Sequence, residues 1–287
     1  MILAPGPGFP ATTIALMKPA AQRRDALKGV WQEARTCVRC PLSESRTTVV
    51  FGAGDADADL MFIGEAPGKS EDEQGVPFVG AAGKLLDKLL AEIGMERSDV
   101  FIANVLKCRP PDNRDPRPAE IEACSGYLRS QIALIAPRVV CTLGNFSTKL
   151  LREDQTGITR LHGRPEVRSL GGRTVRLYPV FHPAAALYNP SSVEDLRADF
   201  ARLPELLALP VPEQVAGPEG AATVVATAVG GDAAVVDEAA VVEEVPVGGE
   251  AAVVDEAAGA VAPVAVNTAS PVAPDAATDD EGQLGLF

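Results

Sequence analysis

No lysine or arginine occurs in the last 78 residues of this 287-residue chain, which nevertheless hold 14 of its 39 aspartates and glutamates. The formal charge of −13 is therefore −14 over residues 210–287 and +1 over residues 1–209, where all 26 cations meet the other 25 acids. An acidic tail on a near-neutral body does not exclude nucleic acid as a partner of that body. The tail also lacks aromatic residues until Phe287 closes it. It repeats itself, GGDAAVVDEAA at 230–240 returning as GGEAAVVDEAA at 248–258, and this 18-residue period matches no common solenoid unit. Copies made of Gly, Ala, Val and acids bury too little surface to offset chain entropy. Residues 210–287 are expected to be a disordered acidic tail.

Other absences narrow the reading further. No apolar run approaches the roughly 18 residues that a membrane span needs. In MILAPGPGFPATTIALMKPAAQRR prolines interrupt the apolar part and the charges follow it, whereas a secretory signal has its charges first. Residues 1–22 are expected to be a flexible leader, and the chain is expected in the cytoplasm without a membrane partner. A phosphate-binding loop is missing too. The stretch IGEAPGKS at 63–70 ends like one, but Ile63 stands where the first glycine belongs. The acids of EDEQG follow directly and would repel a triphosphate.

Between the two loose ends, residues 23–209 alternate strands with helices. DLMFIG (59–64), DVFIANVLK (99–107), RVVCTLG (138–144) and TVRLYPVFHP (174–183) read as strands, the last entered through a hairpin. GAAGKLLDKLLAEIG places Leu85, Leu86, Leu89, Leu90 and Ile93 on one helical face and closes on Gly94. PAEIEACSGYLRSQIALIA (118–136) opens with a helix-starting proline and stacks Ile121, Cys124, Leu128, Ile132 and Ile135. A short helix runs through Lys149–Leu151. SSVEDLRADFARLPELLA is a closing helix capped by Ser191 or Ser192. The class is α/β: a three-layer α/β/α fold around a central, mainly parallel four-stranded sheet.

In such sheets ligands bind outside the carboxyl ends of the strands. GEAPG follows the first strand, Asn104 lies near the end of the second, and His182 follows the fourth. Three polar features therefore share one rim. Cysteine usage points the same way. Cys37 and Cys40 form a close pair, Cys108 and Cys124 are separated by 15 residues, and Cys141 belongs to an apolar strand. Disulfides do not suit a cytoplasmic chain. A structural zinc more often draws its second pair from another close knuckle. One close pair and two distant thiols suit a [4Fe–4S] cluster better, with zinc as the alternative.

The stretches GEAPGKSEDEQGVPFVGAAGKLLDKLL, NVLKCRPPDNRDPRPAEIEAC and FHPAAALYNPS resemble the iron–sulfur (family 4) uracil-DNA glycosylases, in order and over roughly residues 30–207. The resemblance implies that uracil is excised from single- or double-stranded DNA by cleavage of the N-glycosidic bond. Residues 23–209 would be the glycosylase domain, and Cys37, Cys40, Cys108 and Cys124 the ligands of a [4Fe–4S] cluster. A glycosylase must read its base outside the stack. Phe78 would stack on the ring and Asn104 would pair with the uracil edge. Glu65, Ala66 and Gly68 would line the pocket, and Glu71 would meet the 5-methyl group of thymine. His182 would donate to O2, as neutral imidazole or as cation. Ala66 stands where better-known relatives orient water, so only Glu65 or Glu71 could assist the water. A covalent uracil-binding relative and an iron–sulfur redox or scaffold protein are the alternative readings. The first carries an Arg-rich insertion with His that LKCRPPDNRDP lacks.

Lys107, Arg109, Arg114 and Arg117 surround the second motif, and Arg160, Arg164, Arg168, Arg173 and Arg176 crowd the hairpin. Their expected closeness to the rim favours phosphate contacts. Leu187 is the expected wedge into the gap left by the flipped base, and Tyr188 stands where the family has Arg. The chain ends GQLGLF. Gln283, Leu284, Leu286 and Phe287 resemble the short peptide by which bacterial repair proteins dock on the sliding clamp. A flexible linker of some 72 residues reaches about 40–50 Å. The enzyme itself is expected to be a monomer.

Overall fold

The computed structural model describes residues 19–187 and 189–214. The leader through residue 18, Tyr188, and the tail from residue 215, with Gln283, Leu284, Leu286 and Phe287, lie outside the described residues.

Helix α1 (Ala20–Arg35) begins within the expected leader and buries Leu27, Trp31 and Ala34, a spacing of one stripe on a 3.6-residue helix. Cys37 and Cys40 follow it, ahead of the single-turn helix α2 (Leu42–Ser45). Then come β1 (Ala53–Gly54), β2 (Leu60–Gly64), α3 (Lys69–Gln74), α4 (Ala81–Glu92), β3 (Phe101–Asn104), α5 (Pro118–Ile135) and β4 (Val139–Leu143). The second half holds α6 (Asn145–Arg152), α7 (Ile158–Leu161), β5 (Glu166–Leu170), β6 (Arg173–Val180), α8 (Pro183–Ala186), α9 (Pro190–Ala201) and α10 (Leu203–Ala208).

The α/β class stands, but the sheet has six strands, not four, in the order β1-β3-β2-β4-β6-β5. The central four are parallel, and β1 and β5 pair antiparallel at the two edges. β2 and β4 are buried at every position, as strands covered on both faces must be. Met61, Ile63, Phe101, Ala103, Val140, Val175 and Leu177 face the layer that contains α1 and α5. Their alternating neighbours Leu60, Phe62, Ile102, Val139, Cys141, Tyr178 and Val180 face α4, α9 and α10.

The closing helix differs from expectation in two ways. Its cap is Asn189, whose Oδ1 accepts from Ser191 N and Oγ, rather than Ser191 or Ser192. It also breaks at Arg202, because Pro204 has no N–H to continue the ladder. Beyond α10 the chain remains tied to the sheet. The Gln214 amide accepts from Thr174 N at 3.1 Å and donates to Thr174 O at 2.8 Å.

Candidate active site and cysteine cavity

β2 and β3 end side by side, Gly64 in register with Asn104. This brings the loop after β2 and the last side chain of β3 to one rim of the sheet. The end of β6 delivers His182 to that rim as the N-cap of α8. A cleft of about 410 Å³ opens there, and Glu65, Ala66, Gly68, Glu71, Phe78, Asn104 and His182 all line it.

Phe78 takes a left-handed φ of +54°, uncommon for a bulky residue. It is held from several sides. Arg97 donates to Phe78 O at 3.0 Å and also to Pro77 O. Gly83 leaves room for the Phe78 carbonyl, which occupies the place a Cβ would take. Glu71 fastens the next residues: its Oε1 accepts from Val79 N and Gly80 N, both at 3.0 Å, and its Oε2 from Gly68 N at 3.1 Å. Both oxygens of Glu71 are thus engaged by backbone amides, an arrangement that shapes the loop and leaves little capacity to activate water. Glu65 has no side-chain hydrogen bond among the described residues, and burial, with Asp115 nearby, raises its carboxyl above the usual range.

Asn104 is 2% exposed, and its Oδ1 has no hydrogen-bond partner among the described residues. A buried acceptor left unpaired costs about 1–3 kcal/mol unless something enters the cleft to satisfy it. The His182 ring lies 5.6 Å from that of Phe78, 28° from parallel. Its Nδ1 accepts from Ala184 N at 3.1 Å, so the neutral imidazole carries its proton on Nε2. Burial pushes its pKa from 6.5 down to about 4, with Glu71 opposing weakly. Sequence left the choice between neutral donor and cation open, and the neutral form is the one the site favours at neutral pH. Gly144, after β4, is the close neighbour behind it: a Cβ there would stand 2.8 Å from His182 Cβ. Sequence reasoning passed over His162, whose ring lies 4.3 Å from that of Phe181 and whose Nδ1 is 3.0 Å from Asp199 Oδ2.

The expected DNA contacts divide. Lys107 is not one of them. It is 1% exposed, its Nζ donates to Asn104 O at 2.7 Å and Gln131 Oε1 at 2.6 Å, and burial lowers its pKa to about 8. A charge sealed in the core cannot reach a phosphate. Arg109 donates to Asn113 Oδ1 at 2.8 Å. Arg114 lines the cleft while both its terminal nitrogens hold buried Glu120. Leu187, just past α8, is 44% exposed. The hairpin arginines are also displaced from expectation, because the β5–β6 turn precedes β6 and so lies at the rim opposite His182. There Arg168 pairs with Glu166 and Arg176 donates to Pro210 O. Arg160 and Arg164 are exposed on either side of His162, whose ring lies beside that of Phe181.

Cys37, Cys40, Cys108 and Cys124 line one further cavity together with Arg46, Lys107 and Tyr127. All are free thiols. Two donors already point at them: Arg46 Nη1 lies 3.4 Å from Cys108 Sγ, and Lys107 N lies 3.3 Å from Cys124 Sγ. Burial raises Cys40 and Cys108 and pushes Cys124 to about 12, so a metal centre would have to displace protons on binding. Four thiols lining one cavity, with Arg46 and Lys107 beside them, supply the ligand count and the neighbouring donors that a thiolate-held centre uses, although no three His, Cys, Asp or Glu side chains among the described residues are grouped to hold a metal ion. Cys141 is apart from them, wholly buried in β4.

No helix among the described residues is long and apolar enough to cross a membrane. Residues 51–206 match the family model of the uracil DNA glycosylase superfamily. The type-4 uracil-DNA glycosylase of Sulfurisphaera tokodaii is 47% identical over 191 residues, 65% of this chain and 87% of the relative. That of Archaeoglobus fulgidus is 43% identical over 63% of this chain and 94% of its own length. A type-5 uracil-DNA glycosylase of Pyrobaculum aerophilum is more distant, at 30% over 60% of this chain and 86% of its own. The chain belongs to the uracil-DNA glycosylase superfamily, on its type-4 branch.

Proposed function

We propose that this protein is a DNA repair glycosylase that takes uracil out of the helix into the cleft and hydrolyses its N-glycosidic bond, leaving an abasic site. The observation that carries this reading is the buried, unpartnered Oδ1 of Asn104 beside Phe78 and the Nε2–H of His182. Uracil presents N3–H between two carbonyls. Asn104 accepts from N3–H and donates to the adjacent carbonyl while Phe78 stacks on the ring. As the C1′–N1 bond breaks, its electron pair passes to uracil and spreads toward O2, and neutral His182 donates there. Water adds to the oxocarbenium-like C1′ and gives up its proton, for which Glu65 is the uncommitted acceptor. Glu71 works through the loop it fastens, closing the space a thymine methyl would need, and Ala66 and Gly68 complete the wall.

Uracil release from a single-stranded oligonucleotide tests the activity, and a folded protein that releases none would refute it. His182→Ala should lower single-turnover release by about 10²–10³, the usual loss for one such donor. A rate near wild type would overturn its role at O2. Arg109 and Leu187 are the groups beside the cleft available to the DNA backbone and to the gap, while Arg114 would reach a phosphate only by sharing the nitrogens that hold Glu120.

Cys37, Cys40, Cys108 and Cys124 would hold a [4Fe–4S] cluster, which when bound cross-links the segment after α1, the loop after β3 and helix α5. Protein purified without oxygen should be brown, and Cys108→Ser should bleach it. A colourless protein with one zinc would end the cluster assignment. Gln283, Leu284, Leu286 and Phe287 form a terminal clamp-docking peptide, Leu and Phe filling an apolar pocket and Gln bonding at its rim. Deleting residues 283–287 should leave release from short oligonucleotides unchanged and abolish binding to a bacterial sliding clamp. The enzyme acts in the cytoplasm as a monomer.

A further inference from the structure

Lys107 carries a positive charge into the core, and among the described residues no carboxylate pairs with it. Both hydrogen bonds of its Nζ go to neutral oxygens, Asn104 O at 2.7 Å and Gln131 Oε1 at 2.6 Å. The centre of the Phe51 ring lies 5.9 Å from its Nζ. Burying a cation is costly unless its hydrogen bonds do something an apolar residue cannot.

The partners show what that is. Gln131 is itself fixed, its Nε2 donating to Phe51 O at 2.8 Å. The backbone N–H of Lys107 meanwhile points to Cys124 Sγ at 3.3 Å. Cys124 and Gln131 are seven residues apart on α5, two turns along one face. Lys107 therefore grips one face of α5 at two points, and with its third contact it holds the carbonyl of Asn104. Asn104 is the last residue of β3. Val105 N and Leu106 N bond to Gly64 O and Glu65 O, so the chain just past that residue stays tied to the end of β2 and the loop that follows it. The depth at which its side-chain amide stands in the cleft depends on how that carbonyl is anchored.

We propose that Lys107 is a positioning residue for base reading: its ammonium, braced by Gln131, fixes the end of β3 so that the Asn104 amide meets the uracil edge. This rests on the reading of Asn104 given above. Lys107 touches no substrate, and its effect passes wholly through Asn104.

A double-mutant cycle tests this. Lys107→Met keeps an unbranched side chain, one atom shorter, and removes both hydrogen bonds. In the wild-type background it should lower single-turnover uracil release and weaken binding of free uracil by about 10–100-fold, the range for hydrogen bonds to a charged group. In the Asn104→Ala background the same change should alter the release rate less than about twofold, since no reader is left to misplace. Gln131→Leu, which leaves Lys107 in place but unbraced, should repeat the pattern and serves if Lys107→Met does not fold. Gln131→Glu, which keeps the acceptor for Lys107 but loses the donor to Phe51 O, should recover part of the rate lost in Gln131→Leu. Equal losses in both backgrounds, or no loss in either, would overturn the role of Lys107. A wild-type rate in Asn104→Ala alone would overturn the reader assignment as well.

Discussion

Replacing Gly64 by alanine should close the cleft while leaving the fold intact. Gly64 ends β2 beside Asn104, and its backbone lies outside the left-handed region, so alanine meets no conformational penalty there. The new methyl would stand 2.7 Å from Phe78 Cζ and 2.9 Å from Phe78 Cε2, and closer still to Asn104 Oδ1. Ordinary contact begins near 3.4 Å, so the Phe78 ring must retreat by about 0.7 Å and the amide by more. Overpacking of this kind costs about 1–3 kcal/mol, less than the 5–15 kcal/mol that holds a typical domain together. The two groups displaced are the ones proposed to stack on the base and to read its edge, and a misplacement near 1 Å can lower a rate by about 10². Single-turnover uracil release should therefore fall about 10²-fold, free-uracil affinity should fall with it, and the melting temperature should drop by about 2–12 °C. A folded Gly64→Ala protein with the wild-type rate would show that the base does not sit between Phe78 and Asn104.

Other outcomes follow from the same geometry. Because burial lowers His182 from 6.5 to about 4, the folded imidazole takes up its proton only near pH 4, whereas the unfolded one does so near 6.5. The stability it contributes is full above pH 6.5 and is lost as pH falls through that window, so wild type should lose more stability between pH 7 and 4.5 than His182→Gln in denaturant titrations. Uracil release should likewise show no acid limb near 6.5, and such a limb would contradict a neutral donor. Gly144→Ala meets both a φ of +89° and His182 Cβ at 2.8 Å; it should slow release by about 10–100-fold and destabilise by 1 kcal/mol or more, measured by single-turnover kinetics and melting. Arg97→Ala removes the donors that hold the Phe78 and Pro77 carbonyls and should weaken free-uracil binding about tenfold; unchanged affinity by calorimetry would show that the Phe78 turn holds without it.

Much of the fold was legible because it rests on local periodicity. The apolar runs at 60–64, 101–104, 139–143 and 173–180 are strands by composition alone, and α4 and α5 repeat their apolar faces every three to four residues. Their alternation implies a parallel sheet, and a parallel sheet gathers GEAPG, Asn104 and His182 at one rim. The edge strands were legible unequally: the hairpin expected ahead of the last strand is the β5–β6 pair, although β5 has no fully buried position, whereas β1 is two residues long and carries no distinctive pattern. Charge was the least legible quantity. Lys107 sits among arginines in LKCRPPDNR and reads as one more surface cation, yet it is 1% exposed. Arg173 and Arg176 read as part of a basic rim, yet the direction of β6 takes them to the other end of the sheet. Sequence by itself determined which residues could be strand, helix, thiol ligand or base reader, since those follow from side-chain chemistry and spacing. Tertiary structure alone decided which charges meet water, that both Glu71 oxygens are taken by backbone amides, and that His182 is neutral, because desolvation and long-range partners such as Gln131 and Arg97 exist only once distant segments have packed.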